Sequence, residues 1–141
     1  MSETRLTLRH TIAHVEEFHS SFRLNREDEP TGMIPENLYN LRYELMREEN
    51  EEYLEAARRG DLVEVADALG DMLYILCGTI ISHGLQEKIE EVFREIQRSN
   101  MSKLDENGQP IYREDGKVLK SDRYFRPDIA SVLGMITGEK A

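Results

Sequence analysis

Apolar residues recur at helical spacing along most of this chain. Ile12, Val15, Phe18 and Phe22 share one face of residues 10–22, so a first helix is expected there. Residues 25–35 hold two prolines, a glycine and several charges, which reads as a connecting loop. Pro35 suits the first turn of a second helix, which the pattern carries to about Arg59. Arg58 and Arg59 complement the dipole at its end, Gly60 is a natural C′ residue, and Asp61 is a natural N-cap for the next helix. That third helix is expected over residues 62–83, ended by Gly84. A fourth covers about 86–99, with Ile89, Val92, Phe93 and Ile96 as its apolar stripe. After Asn100 the periodicity ends. Residues 105–110 and 114–116 have turn chemistry and bracket a strand-like pair, Ile111 and Tyr112. Asp128 suits the cap of a last short helix carrying Ile129, Val132, Leu133 and Ile136. The expected fold is all-α, a single domain over residues 1–141. It has four main helices in a core of about 10–99, then an irregular C-terminal arm of about 100–141 with a short terminal helix.

The same phase arithmetic gives the acids a direction. At 100° per residue, Leu38, Leu41 and Leu45 form a narrow stripe on the second helix. Its continuation falls on Glu48, Glu49 and Glu52, then Ala56, and only Glu51 lies clearly off the line. A run of acids is ordinarily a solvated face, but these follow the core-facing line. Burying unpaired carboxylates costs several kcal/mol each. No matching line of Lys or Arg exists on the other helices, so a bound cation is the economical partner. On the third helix Leu62, Val65, Ala66, Leu69, Leu73, Leu76 and Ile80 form the main core stripe. Glu64, Asp67 and Asp71 lie opposite, on a line that continues into Tyr74, Ile75, Gly78 and Ile81. This helix is therefore expected to be buried on two sides, at a bundle centre or a subunit interface. Two acidic lines on consecutive helices can face each other as an oxygen-ligand site for Mg2+ or Mn2+.

Composition narrows the partners. The 141 residues carry 28 acids against 18 bases, a net charge of −10. Such a surface does not wrap a bare nucleic acid polymer or an anionic membrane. Cys77 is the only cysteine, so no intrachain disulfide forms, and its apolar neighbours read as core. The first residues lack the apolar run of a signal peptide. The longest apolar run, residues 72–81, is about ten residues, against roughly 20 for a membrane span. A cytoplasmic protein with no nucleic acid polymer and no membrane as partner is expected. His19 closes a Glu-x-x-His sequence with Glu16, the spacing of di-iron bundles, but only one copy exists and a packed histidine is the commoner outcome.

The acidic motifs and the arm together resemble a known superfamily. Glu48-Glu49-Asn50-Glu51-Glu52 matches the EExxE of the all-α, MazG-like nucleoside triphosphate pyrophosphohydrolases, which include phosphoribosyl-ATP pyrophosphohydrolases and dimeric dUTPases. The family's second motif, ExxD, is less tidy here. The segment from Asp67 to Tyr74 resembles it with Asp71 at the family aspartate, which puts the family glutamate on Ala68. Asp67, one residue earlier and one turn from Asp71, is the replacement; the other register, Glu64 with Asp67, keeps Glu64 as a ligand or a neighbour of the ligands. Glu17-Phe18-His19 with Phe22, Leu41-Arg42, residues 100–103, residues 115–120 and residues 124–128 resemble the dUTPase-related branch, so the likeness runs from about Val15 to Val132.

The resemblance implies a four-helix MazG-like bundle that hydrolyses a nucleoside triphosphate to the monophosphate and pyrophosphate. It implies Mg2+, with Mn2+ as an alternative, held by Glu49, Glu52, Asp67, Asp71 and in the other register Glu64. Glu48 is then the general base, with the roles of Glu48 and Glu49 interchangeable at this level. Exposed lysines in a loop usually bind nothing, but the resemblance makes Lys103, Lys117 and Lys120 phosphate candidates, Asn100 a sugar or base candidate, and Tyr124 a stacking or anchoring aromatic. A homodimer or homotetramer is expected, because four helices of this length leave the two-sided third helix under-covered. Two rivals stand beside this reading: a carboxylate-bridged di-metal bundle of the ferritin type, which needs a second Glu-x-x-His, and a non-catalytic helical interaction module.

Overall fold

The computed structural model describes residues 5–135. Helices α1 (Leu8–Ser21), α2 (Glu36–Arg59), α3 (Leu62–Ser82) and α4 (Ile89–Met101) are followed by β1 (Ile111–Tyr112), β2 (Val118–Leu119) and a short α5 (Ile129–Val132). The all-α class is what the apolar periodicity predicts. The chain divides into two compact units between Glu87 and Lys88. The sequence pattern groups α4 with the other long helices, whereas by packing it belongs with the arm.

The first unit is built on α3, which packs against both α1 and α2. Its punctuation follows the sequence. Gly60 ends α2 in the left-handed region at φ 68°, and Asp61 caps α3 by accepting from the Glu64 amide at 3.1 Å. Gly84 takes φ 68° just beyond α3, where a Cβ would overlap the carbonyl of Glu29. Ile12, Val15, Ala56, Ala68, Cys77, Ile80 and Ile81 are buried, and Cys77 is core as expected.

The apolar stripe expected to be the main core of α3 is largely not covered. Leu62, Leu69, Leu73 and Leu76 are exposed, while the opposite line, through Ala68, Gly78 and Ile81, carries the buried contacts. Helical phase shows that two faces are apolar; it does not say which face the same chain covers. By length and composition α3 also qualifies as a membrane span, with mean hydropathy 1.5. A bundle's central helix meets the same criteria, and α3 occupies that place between α1 and α2.

In the second unit, α4 packs against α5. The strand-like pair at 111–112 is a real strand, antiparallel to β2, with Ile111 opposite Leu119 and Tyr112 opposite Val118. Gly116 supplies the positive φ of the connecting turn. Asp128 caps α5 as expected, accepting from the Ser131 amide at 3.2 Å. Ile136, assigned from the sequence to this helix, lies outside the described residues.

Candidate functional site

On α2 the helical phase separates the acids by their company. Arg47 binds Glu44 at 2.7 Å and Glu51 at 2.7 Å, in a one-turn surface network. Glu51, the acid off the core line, is thereby accounted for. Glu49 sits one step away in a different environment. It is half-buried, and its Oε2 is shut off from solvent with no hydrogen-bond partner. Its pKa is pushed up to about 7, first by burial, then by the charges of Glu52 and Asp71, by a hydrogen-bonding contact between the Glu49 and Glu52 carboxyls, and by the charge of Asp67.

The structure thus brings Glu49 together with Glu52, Asp67 and Asp71, four of the residues the sequence nominates. Glu52, Asp67 and Asp71 lie on the exposed side of the group, so the expectation of a buried acidic line holds only for Glu49. Glu64 is not among the groups acting on Glu49; it stands exposed in the first turn of α3, where its amide closes the cap. Glu48 is exposed on α2, next to the cluster in sequence and about 100° around the helix.

Among the described residues, no three His, Cys, Asp or Glu side chains converge in the geometry of metal ligands. Repulsion between carboxylates acts over longer distances than coordination, which for Mg2+ requires about 2.0–2.1 Å. The two observations are therefore compatible: the acids are close enough to oppose each other's ionisation and are not drawn onto one point. The donor set fits a hard divalent cation. It consists of carboxylate oxygens alone, one of them buried without a donor, and no Lys or Arg is among the groups that shift Glu49.

The remaining nominated residues lie in the second unit. Asn100 and Lys103 stand at the end of α4, where the Asn100 carbonyl accepts from the Lys103 amide at 3.1 Å. Lys117 is in the turn before β2, its amide donating to Asp115 Oδ1 at 3.1 Å. Lys120 Nζ lies 4.7 Å from the centre of the Tyr124 ring, so these two are brought together. His19 is a packed histidine, 3% exposed, with Nδ1 2.8 Å from the Asn25 carbonyl. Glu16, its partner in the Glu-x-x-His spacing, is held by Arg26 at 3.0 Å.

Sequence reasoning missed a set of residues deeper in the first unit. Arg42 crosses from α2 to α3, its Nε donating to Thr79 Oγ1 at 3.1 Å and its Nη2 to the Ile75 carbonyl at 2.9 Å. Burial lowers its pKa. Ser82 Oγ and Asn25 Oδ1 are buried without partners. The only signal in sequence was Arg42 itself, a long basic residue beside the Leu38, Leu41 and Leu45 stripe.

No curated protein matches the chain's sequence. A family does, over residues 15–100, more than half of the chain and including all of α2 and α3. The match ends where the arm begins. The chain belongs to the phosphoribosyl-ATP pyrophosphohydrolase family of the MazG-like nucleoside triphosphate pyrophosphohydrolase superfamily, whose members hydrolyse phosphoric anhydrides.

Proposed function

We propose that this protein hydrolyses a (deoxy)nucleoside triphosphate to the monophosphate and pyrophosphate in a Mg2+-dependent reaction, removing unwanted nucleotides from the pool. One observation carries the reading: a buried, unpartnered Glu49 oxygen within a cluster whose other members are Glu52, Asp67 and Asp71. Mutual repulsion of this kind is relieved by a divalent cation. Glu49, Glu52, Asp67 and Asp71 would hold it. When bound, the ion supplies neutralisation of the polyphosphate and acidification of water. Glu48, exposed and next to Glu49 in the chain, would accept the proton that a nucleophilic water gives up. Mn2+ offers the same hard-oxygen chemistry.

Family membership supports anhydride hydrolysis on a nucleotide. Asn100, Lys103, Lys117, Lys120 and Tyr124 remain substrate-contact candidates on the strength of the resemblance. The exposed Leu69, Leu73 and Leu76 of α3 support self-association as a homodimer or homotetramer, which light scattering reads directly. A ferritin-type site is disfavoured, because Glu16 is engaged by Arg26 and His19 by the loop backbone. The test is a nucleotide panel assayed for pyrophosphate and orthophosphate, with Mg2+ and with chelator. Pyrophosphate release that chelator abolishes is expected. Orthophosphate as the only product, or release indifferent to chelator, would overturn the reading.

A further inference from the structure

Helix α2 is thinly packed for its length. Among its 24 residues, all of them described, only Ala56 is buried, and Ala56 stands one turn before the Gly60–Asp61 turn into α3. Toward its start, α2 borders a cavity of about 410 Å3 that lies between α1, α2 and α3. Leu38, Leu41 and Leu45 line it from α2, and Asn25 and Ser82 line it from elsewhere in the unit. Side chains that face a cavity lose the contacts that close packing supplies. The turn therefore joins α2 to α3 firmly at one end, and apolar packing does little at the other.

Arg42 supplies the missing attachment. Its Nε donates to Thr79 Oγ1 at 3.1 Å and its Nη2 to the Ile75 carbonyl at 2.9 Å. Thr79 Oγ1 donates to the same carbonyl at 2.9 Å, which closes a three-cornered network across the two helices. Gly78 keeps the space open, since a Cβ there would collide with Arg42 Nη2 and crowd His19 Nε2. Among the described residues no carboxylate pairs with this guanidinium, although burying an unpaired charge is costly. Arginine brings reach and a planar fork of donors, so one rigid group holds two partners on α3.

This tie has a definite place relative to the acids. Arg42 is seven residues before Glu49, so it lies on nearly the same face of α2, roughly 10 Å away along the axis. Ile75 is one turn beyond Asp71 on α3. Glu49, Glu52, Asp67 and Asp71 thus lie between two fixed points, the Gly60–Asp61 turn and the Arg42 network. Like charges on neighbouring helices push those helices apart, and a turn at one end alone is a hinge for that motion.

The structure assigns Arg42 a positioning role: it holds α2 against α3 on the far side of the cluster from the turn, and so keeps Glu49 and Glu52 together with Asp67 and Asp71. This rests on the reading of that cluster as a cation site and adds the residue that sets its width. Arg42 acts through the helices it joins. Its charge alone would have the opposite effect, because a positive group nearby repels a bound cation.

Two variants open the network from opposite sides: Arg42→Met keeps an unbranched side chain, and Thr79→Val keeps the branched shape. Mn2+ binding is read from the loss of the free-ion signal in electron paramagnetic resonance, and stability from thermal melts of metal-free protein. Both variants should weaken Mn2+ binding, Arg42→Met by roughly tenfold, the scale on which groups that orient metal ligands act. Unchanged or tighter binding in Arg42→Met overturns the proposal, because loss of a mere positive charge would tighten it. Both variants should also melt lower than wild type. The Thr79→Val loss should shrink in a Glu52→Gln background, where less repulsion pulls on the tie. A loss of the same size in both backgrounds marks ordinary packing and overturns the proposal as well. Wild type that takes up no Mn2+ would retire the cation reading alone; the melts involve no metal and would then decide the role of Arg42 by themselves.

Discussion

Glu95 and Glu49 each hold a carboxylate oxygen away from solvent, and they are treated in opposite ways. Glu95 on α4 is 9% exposed and fully served: Arg98 donates to its two oxygens at 2.7 and 3.0 Å, and the Asp128 amide donates at 3.1 Å. These partners hold its pKa below the usual carboxylate range. Around it, Arg98 lies 4.4 Å from the centre of the Phe125 ring, and Ser99 Oγ donates to the Phe125 carbonyl at 2.8 Å. Glu95 is a tether that fixes the start of α5 to α4. Glu49 has an orphaned oxygen, acidic neighbours and a pKa raised to about 7. Burial alone does not mark a functional acid. The sign of its company does, because an acid surrounded by acids is stable only with a cation or a proton among them.

The largest expected effect comes from removing the unsatisfied acid. Glu49→Gln keeps the shape and removes a charge that the fold does not use. Pyrophosphate release should fall by roughly a hundredfold or more, since disturbing even the outer partners of a metal site costs 10–100-fold. Glu52→Gln should follow the same pattern. Steady-state assays across a Mg2+ titration read both, and either variant retaining full activity would break the contrast between functional and structural carboxylates. Glu95→Gln should instead loosen the arm. Hydrogen exchange should show faster exchange at the Asp128 amide and through α5, together with a lower melting temperature.

A smaller effect separates the two acids by pH. Glu49 is raised from 4.5 to about 7, so the folded state binds more protons than the unfolded one between these values. Its contribution to stability is full below 4.5 and is lost as pH rises through 7. Glu95 is lowered from 4.5, so its contribution is present above that value and is lost as pH falls through the lowered pKa. In metal-free protein, Glu49→Gln should therefore melt above wild type at about pH 8 and converge with it in acid. Glu95→Gln should melt below wild type at neutral pH and converge with it in acid. Thermal melts over a pH series would show either the two opposite slopes or the failure of the assignment.

The Glu49 side of this contrast was legible in the sequence, whereas Glu95 was not, because its partner amide at Asp128 lies 33 positions away. Helical phase put Glu49 and Glu52 on one line and set Glu51 aside, because both facts depend only on 100° per residue. It equally put Glu64 with Asp67 and Asp71, and could not register that Glu64 stands in the first turn of α3, away from the group gathered around Glu49. Leu69, Leu73 and Leu76 read as core because apolarity does not reveal whether the cover comes from the same chain. Strand β2 is two residues long and carries no alternation to detect. Asn25 and Ser82 meet the same cavity from 57 positions apart, a closeness that only the packing of α1, α2 and α3 creates.

The smallest expected effect is the one that makes the largest interpretable. Glu51 lies between Glu49 and Glu52 in sequence and carries the same charge, but it faces away and is held at 2.7 Å by Arg47, which also holds Glu44. Glu51→Gln removes one unit of negative charge from the same helical turn without touching the cluster. If the acidic helix acted only through its overall field, Glu51→Gln and Glu49→Gln would depress activity together, and added salt would mask both. If position decides, Glu51→Gln should change pyrophosphate release by less than about twofold. Such surface pairs contribute little, and Arg47 retains Glu44 as a partner. The Mg2+ concentration for half-maximal activity should likewise stay at its wild-type value in Glu51→Gln and rise in Glu52→Gln.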